Sequence, residues 1–271
     1  MSARQLKSRM VEKVWGRDHL PAPFDAPPGE RIGEIWFEPP PEMPQVLVKY
    51  LFTSEKLSVQ VHPSDAQSLP TEAGKEECWL VLDAEEDARL AIGFDREITR
   101  EEIAAATCDG SIEQLLTWHP ARAGDVFYLP AGTVHAIGPG FALVEVQQNS
   151  DTTYRLYDYG RPRALHLDRA LAVAEGRPYA AEHRRHIFDG PVLVNGPHFR
   201  LDRIAGRPDA ATFAAYAGAL LVLPLEGEVT AYEGTVCAQA GECLYASTIA
   251  ALDFTAAHVT LLVQAGHQNR G

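Results

Sequence analysis

The amino-acid sequence predicts a mainly β protein made of two small barrel-like domains, with a short helical insert in the first. Three observations support this fold class. Short apolar runs that alternate with polar residues recur in both halves of the chain, helical patterns are few and short, and a polar crossover separates the halves. We place a first domain, which carries the candidate site residues described below, at residues 1–175, and the crossover with a degenerate second domain at residues 176–271.

The strands of the first half are predicted from short runs rich in apolar, β-branched and aromatic side chains, with period-two alternation around Gln60, Tyr128 and Glu145. Turn residues bound these segments, as is usual for strands in small barrels. The predicted strands are residues 45–53, 57–62, 77–82, 125–129 and 141–147. The proline-rich stretch at residues 21–44 is predicted to be an extended loop over the barrel surface.

A helical insert at about residues 97–119 is predicted from two N-terminal capping patterns. Thr99 is followed three residues later by Glu102, and Ser111 by Gln114, a spacing that lets each pair satisfy free backbone N–H groups at a helix start. These patterns predict helices over residues 101–106 and 112–118, and a third helix is predicted over residues 166–175.

The second half repeats the strand-and-turn pattern but lacks a histidine at the position that His135 occupies in the first half. Its predicted strands are residues 199–204, 219–224, 228–232, 242–246 and 259–264. The sequence therefore predicts a duplicated barrel in which only the first copy keeps a metal site.

Composition narrows the function classes. The net charge is −13, which argues against nucleic acid and anionic membranes as partners, because both need a broad basic face. There is no apolar run of about 20 residues and no signal-peptide pattern, and the four cysteines form no CxxC pair, so we expect a soluble, cytoplasmic protein.

A small anionic ligand needs only local cations, and the candidates are Lys49, Lys75, Arg155, Arg161 and Arg163. The oligomeric state is left open.

The segment from Gly124 to His135 is a strand that enters a Pro/Gly turn and ends on a histidine. A rigid strand end fixes the direction of the imidazole before a ligand arrives, which suits metal binding. A histidine that only caps a strand by hydrogen bonds fits the same pattern, so His135 needs partners.

Three other residues can meet His135. Gln60 and His62 are two apart on one strand and share a face, and Glu77 enters the next strand. Two imidazoles, one carboxylate and one amide suit a divalent ion such as zinc and leave a position open for water or substrate. Such a site is typical of catalysis, since the bound ion can polarise an oxygen atom.

Two further strands carry polar residues towards the same region. Glu145 and Gln147 alternate with apolar neighbours, and Arg155 lies among aromatic residues. An arginine in a barrel mouth is costly unless it meets an anion. An anionic substrate and an ion pair with Glu145 or Asp158 are equally compatible with the spacing.

Together these motifs resemble the type I mannose-6-phosphate isomerases, in their short bacterial form, which belong to the cupin superfamily. The resemblance runs from about Val11 to the C-terminus, and its specific motifs lie within the first ~170 residues. They are Glu12-Lys-Val-Trp15-Gly16, Val48-Lys49-Tyr-Leu, Leu57-Ser-Val-Gln60-Val-His62-Pro63, Gly74-Lys75-Glu-Glu77-Cys-Trp79, Pro130-Ala-Gly-Thr-Val-His135-Ala and Glu145-Val-Gln-Gln-Asn149-Ser-Asp151-Thr-Thr-Tyr-Arg155-Leu-Tyr-Asp158-Tyr159.

The resemblance implies an enzyme that interconverts mannose 6-phosphate and fructose 6-phosphate through a cis-enediol. It implies one zinc ion per chain, an active-site arginine and three residues that line the substrate pocket. The implied metal ligands are Gln60, His62, Glu77 and His135, the arginine is Arg155, and the pocket residues are Lys49, Lys75 and Glu145. The general base is left open among zinc-bound water, Glu145 and another carboxylate.

Two other functions fit the same residues. Two histidines and a carboxylate could hold ferrous iron in an oxygenase of the same fold. The scaffold could also bind a sugar phosphate without turnover, as a regulatory protein. Metal content, oxygen uptake and isomerase turnover distinguish the three.

Overall fold

The computed structural model describes residues 2–231, 234 and 236–266, and this part of the chain is mainly β, which confirms the predicted class. Its strands in chain order are β1 (Ala3–Gln5), β2 (Ser8–Arg17), β3 (Ile32–Phe37), β4 (Val46–Phe52), β5 (Val59–Val61), β6 (Glu77–Ala84), β7 (Arg89–Phe94), β8 (Leu116–Pro120), β9 (Asp125–Leu129), β10 (His135–Ile137), β11 (Phe141–Gln148), β12 (Tyr154–Tyr157), β13 (Arg184–His186), β14 (Val192–Asn195), β15 (Phe199–Ala205), β16 (Leu220–Ala231), β17 (Cys237–Gln239), β18 (Leu244–Ala246), β19 (Leu252–Asp253) and β20 (Ala257–Ala265).

The helices of the described residues are short. The α-helices are α1 (Arg100–Asp109), α2 (Ile112–Leu115), α3 (Leu167–Val173) and α4 (Ala210–Ala215), and single 3-10 turns span Ala181–His183, Ile187–Asp189 and Ile249–Ala251. Across the described ranges, the helices are too short and too polar for any of them to cross a lipid bilayer.

The strands form three sheets. The order in the seven-stranded sheet is β13-β9-β6-β11-β4-β3-β2, and in the five-stranded sheet it is β12-β5-β10-β7-β8. The third sheet follows the order β1-β18-β16-β20-β15-β14, with β17 and β19 also paired to the long strand β16.

The five- and seven-stranded sheets pack face to face and enclose one core, to which Trp79 and Phe127 contribute from one sheet and Leu90 and Ile92 from the other. Apolar residues of α1 and α3 cover the outer face of the five-stranded sheet. The other face of the seven-stranded sheet packs against the third sheet through a second large core. The site described below lies at the open end of the first sandwich.

Edge strands cross the predicted boundary between residues 175 and 176. β13 comes after it but pairs with β9 in the seven-stranded sheet, and β1 comes before it but pairs with β18 in the third sheet. Each half therefore completes a sheet of the other. The division into a catalytic and a degenerate domain remains a prediction.

Two predictions of local structure are wrong. The stretch 21–44 is not loop throughout, because Ile32–Phe37 forms β3 between β2 and β4. The helix expected over 112–118 ends at Leu115, and Ser111 makes no side-chain cap. Trp118 instead lies in β8, opposite Ala91 of β7, since pairing with a sheet edge outweighs a weak helical tendency.

The other elements agree with their predictions to within a few residues. The two strands expected at 219–224 and 228–232 are one strand, β16, which changes register after Pro224. Tyr232, the predicted end of the second of them, lies outside the described residues.

Candidate metal centre and its cavity

A single row of residues crosses the seven-stranded sheet and builds one wall of a cavity. Residues directly opposite each other on antiparallel strands share a face of the sheet, and here that face lines the cavity. The row is Arg9, Trp36, Lys49, Glu145 and Trp79. The intervening positions Val144 and Val146 point into the apolar core behind, as their alternation with Glu145 predicts.

A second row crosses the five-stranded sheet on the other side. Arg155 of β12 lies opposite Gln60 of β5, and Gln60 lies opposite His135 of β10. The alternating residues Val59 and Val61 pack outward under the helices, so Gln60 faces inward as predicted. Between the two rows lies a cavity of about 370 Å³.

His62, Glu77 and His135 come together, and all three are buried. Their nearest ligand atoms lie within 4.8 Å of one another. Nε2 of His135 is 3.2 Å from Glu77 Oε1, and Nε2 of His62 is 3.4 Å from Glu77 Oε2. The turn predicted from Pro130 and Gly132 thus carries His135 to a carboxylate of the opposite sheet.

Backbone carbonyls fix both imidazoles in the tautomer that a metal needs. Nδ1 of His62 is 2.8 Å from the carbonyl oxygen of Thr152, and Nδ1 of His135 is 2.9 Å from that of Thr133. A carbonyl only accepts, so each Nδ1 carries the proton. Each neutral ring then presents the lone pair of Nε2 towards Glu77.

The charge states favour a cation between these groups. Burial and the Lys75 ammonium lower the pKa of His62 to about 3, and burial lowers the pKa of His135 too. Burial alone would raise the pKa of Glu77, but the Lys75 ammonium holds it well below its ordinary value. At neutral pH two unprotonated nitrogens and a carboxylate therefore converge.

Lys75 partly balances this group. Its ammonium lies 3.1 Å from Glu77 Oε2 and 3.4 Å from His62 Nε2. Within the described residues, Glu77 Oε2 still accepts no well-formed hydrogen bond. A buried carboxylate that faces one imidazole lone pair with each oxygen, and keeps one oxygen without such a bond, has the donor atoms that a divalent metal prefers.

Gln60 lies beside this group. Its amide Nε2 is 3.3 Å from His135 Nε2, and its Oε1 accepts a hydrogen bond from the Ser58 hydroxyl at 3.1 Å. Rotation of the amide by half a turn would present the oxygen to a metal instead. The Ser58 hydroxyl tolerates either orientation because it can donate or accept.

Arg155 lines the cavity with its Nε buried and without a hydrogen-bond partner among the described residues. The ion pair with Asp158 that the sequence left open is not formed, since Asp158 binds Arg163 at 2.6 Å and Arg161 at 3.3 Å. The ion pairs of Glu145 within the described residues are with Lys49 and Lys75. The guanidinium of Arg155 is therefore free to meet an anion.

The pocket residues expected from the sequence all lie on the wall of this cavity. Lys49 Nζ is 2.9 Å from Glu145 Oε1, and the indole N–H of Trp79 donates to Glu145 Oε2 at 3.1 Å. Lys75 Nζ is 3.9 Å from Glu145 Oε1. Burial and the nearby Glu77 carboxylate raise the pKa of Glu145, although Lys49 and Lys75 oppose that shift.

Part of this wall is not predicted from the sequence. Glu34 and Trp36 lie on β3, inside the stretch predicted to be a loop, and Lys13 is predicted only as part of a motif. The available signal is the β-favouring run Ile35-Trp-Phe37, which the flanking prolines obscure.

Fold and site together define a mainly β protein with a buried His-Glu-His group, whose ligand atoms are close enough to hold one metal ion, beside a cavity rich in cations. A mannose-6-phosphate isomerase from Streptococcus mutans is 34% identical over 271 residues, covering 82% of this chain and 84% of that protein. No protein-family model matches. The chain belongs to the mannose-6-phosphate isomerase family.

Solved structures share the fold. The crystal structure of the mannose 6-phosphate isomerase from Bacillus subtilis has a TM-score of 0.78 at 23% identity, over 97% of this chain and 100% of that one. A zinc-bound mannose 6-phosphate isomerase structure has a TM-score of 0.69 at 14% identity, over 98% of this chain and 100% of that one.

Proposed function

We propose that this chain is a zinc-dependent aldose-ketose isomerase that interconverts mannose 6-phosphate and fructose 6-phosphate through a cis-enediol. The observation that carries the proposal is the buried group of His62, Glu77 and His135 beside an arginine whose Nε has no hydrogen-bond partner within the described residues. Membership of the mannose-6-phosphate isomerase family supports the same reaction.

One zinc ion per chain would be held by His62, Glu77 and His135, with the amide oxygen of Gln60 as a fourth ligand. When bound, zinc would supply Lewis-acid chemistry by polarising a sugar oxygen atom. The scaffold would be that of a cupin with an open metal position, since Gln60 and Glu77 line the cavity and His135 lies opposite Gln60.

Arg155 would stabilise the negative charge that develops on the enediol oxygens. Its guanidinium is half-buried, and its place beside Gln60 directs it towards the metal group. A preorganised cation in a partly desolvated site stabilises a developing oxyanion more than water does.

Glu145 would exchange the proton between C1 and C2. Burial holds its pKa above the ordinary value for a carboxyl group, and a raised pKa makes a carboxylate a better base near neutral pH. Lys49 and Lys75, which contact this carboxylate, would hold the sugar hydroxyls alongside it.

The charge of the cavity fits a sugar phosphate. Its wall carries six cationic side chains and four carboxylates, an excess of two positive charges, although the whole chain is acidic. A phosphate monoester carries nearly two negative charges at pH 7. The cationic side chains are Arg9, Lys13, Lys49, Lys75, Arg155 and Arg163.

The reducing cytoplasm is the proposed location. The cysteines of the chain are free thiols, with Cys78 and Cys243 buried and Cys108 and Cys237 exposed. Exposed thiols persist in a reducing compartment.

A coupled assay with mannose 6-phosphate tests the function, using native protein, chelated protein and chelated protein with zinc added back. We expect turnover that is lost on chelation and restored by zinc. Iron content with oxygen uptake and no isomerisation would contradict the proposal in favour of an oxygenase. Binding of mannose 6-phosphate without turnover would indicate a regulatory protein.

A further inference from the structure

Glu34 is a buried carboxylate on β3 that the proposed reaction does not use. It lies next to the row of cavity residues and contacts two lysines. Oε1 is 3.0 Å from Lys49 Nζ, and Oε2 is 2.8 Å from Lys13 Nζ. Lys13 is about one-third exposed, whereas Lys49 is buried. Glu34 therefore links Lys13, at the edge of the cavity, to Lys49 inside the cavity.

Lys49 in turn has two carboxylate partners at nearly equal distance. Glu34 Oε1 lies at 3.0 Å and Glu145 Oε1 at 2.9 Å, and the two carboxylates stand on β3 and β11, the strands that flank β4. The Trp36 ring lies 5.3 Å from Lys49 Nζ. A buried ammonium shared in this way has little freedom to move, because displacement towards either carboxylate weakens its contact with the other.

The sharing matters because Glu145 must give and take a proton. If Lys49 had Glu145 as its main carboxylate partner, the pair would tighten, and the carboxylate would be held more firmly in its charged, hydrogen-bonded form. Glu34 competes for the same ammonium and limits that tightening.

We propose that Glu34 is a positioning residue for the proton transfer: by sharing the Lys49 ammonium with Glu145, it keeps the Glu145 carboxylate available to the substrate. This inference rests on the proposed isomerase function. Glu34 does not contact the reacting atoms, and it acts on Glu145 through Lys49 alone.

A double-mutant cycle with steady-state kinetics tests this route. Glu34→Gln keeps the shape of the side chain and removes its charge. We expect kcat to fall about tenfold, a fraction of what general acid-base catalysis supplies, while KM stays within about twofold and zinc content is unchanged. In a Lys49→Met background, Glu34→Gln should have no further effect on kcat.

Glu42→Gln provides the matched control, because it makes the same change in a carboxylate that pairs with Arg4 outside the cavity. We expect it to leave kcat and KM within about twofold. Equal losses of kcat in Glu42→Gln and Glu34→Gln, or additive losses in the Lys49→Met background, would overturn the inference.

Circular dichroism and zinc content establish that each variant is folded. Should Glu34→Gln fail to fold, Glu34→Asp takes its place, since it keeps the charge but is too short to reach both lysines. A lower kcat at unchanged KM then supports the inference, and an unchanged kcat refutes it. Native protein without any isomerisation would overturn the proposed function together with this inference, whereas an active native protein with unaltered Glu34 variants would overturn the inference alone.

Discussion

Gln60 and His135 lie directly opposite each other on β5 and β10, with the amide Nε2 of one 3.3 Å from the Nε2 of the other. Arg155 lies opposite Gln60 on its other side. Two of the candidate metal ligands, Gln60 and His135, and the candidate catalytic arginine are thus held in register by backbone pairing within one sheet. Strands position side chains more accurately than loops do, and a proton transfer requires accurately placed groups.

Replacing His135 with alanine should remove both bound metal and activity. The change deletes one of the two imidazoles and leaves Glu77 facing His62 alone. We expect zinc affinity to fall by at least about 100-fold, because loss of a direct ligand costs more than loss of a residue that only hydrogen-bonds to a ligand. Metal analysis after dialysis measures this, with His258→Ala, an exposed histidine of β20, as the control. Full zinc occupancy in His135→Ala would show that the metal lies elsewhere.

Gln60→Ala should weaken zinc binding less than His135→Ala does. A neutral amide contributes less to a divalent site than an imidazole, and three ligands remain. We expect zinc affinity to fall about tenfold, which is no more than the loss of a residue that only hydrogen-bonds to a metal ligand costs. A competition titration with a chromogenic chelator measures the affinity. A loss as large as that of His135→Ala would contradict this ranking.

Arg155→Ala should lower turnover strongly while zinc content stays near the native value. Its guanidinium lies in the row of Gln60 and His135 but makes no ion pair with the metal group. We expect kcat to fall about 100-fold or more, the usual cost of removing a group that stabilises an oxyanion. Arg207→Ala, on the surface of the third sheet, is the control. Unchanged turnover in Arg155→Ala would eliminate the assigned role.

Much of the fold could be predicted because its signals are local. Asp125–Leu129 and the start of β6 are short runs of residues that favour strands, and turn residues follow Asp125–Leu129. β3 could not be predicted because it is stabilised by tertiary pairing with β2 and β4, and because prolines on both sides are typical of a loop. The helix predicted after Ser111 is longer than the observed one for a similar reason, since Leu116 and the residues after it pair with β7.

The candidate metal group could be predicted for a different reason. Gln60, His62, Glu77 and His135 are polar residues on otherwise apolar strands, and period-two alternation gives their direction. Contact between strands distant in sequence follows only from sheet order, so the sequence could not show that Glu34 meets Lys49. Nor could it decide whether Asp158 pairs with Arg155 or Arg163.

The contribution of Glu34 to stability should depend on pH. Burial would raise its pKa, but Lys49 and Lys13 lower it to about 2. A carboxyl group whose folded pKa is depressed stabilises the fold above its unfolded pKa of about 4.5, and this stability is lost as pH falls towards 2. We expect Glu34→Gln to cost up to about 3 kcal/mol at pH 7.

Urea denaturation from pH 7 to pH 2 measures this dependence on metal-free native and variant protein. The difference between them should be constant above about pH 5 and shrink below it, in the region where the unfolded carboxyl titrates. A difference that does not change with pH would mean that the carboxylate charge is not what stabilises this part of the fold.

Thr99→Ala should destabilise the helical insert without affecting the metal site. The Thr99 hydroxyl accepts a hydrogen bond from the Glu102 N–H at 3.2 Å, and the Glu102 carboxylate accepts one from the Thr99 N–H at 2.8 Å. Loss of such a cap costs about 1 kcal/mol. Ser111→Ala is the matched control, because Ser111 makes no side-chain cap to α2 and should change stability by less than half as much. Thermal melts monitored by circular dichroism compare the two, and equal losses would show that the Thr99 cap does not stabilise α1 in solution.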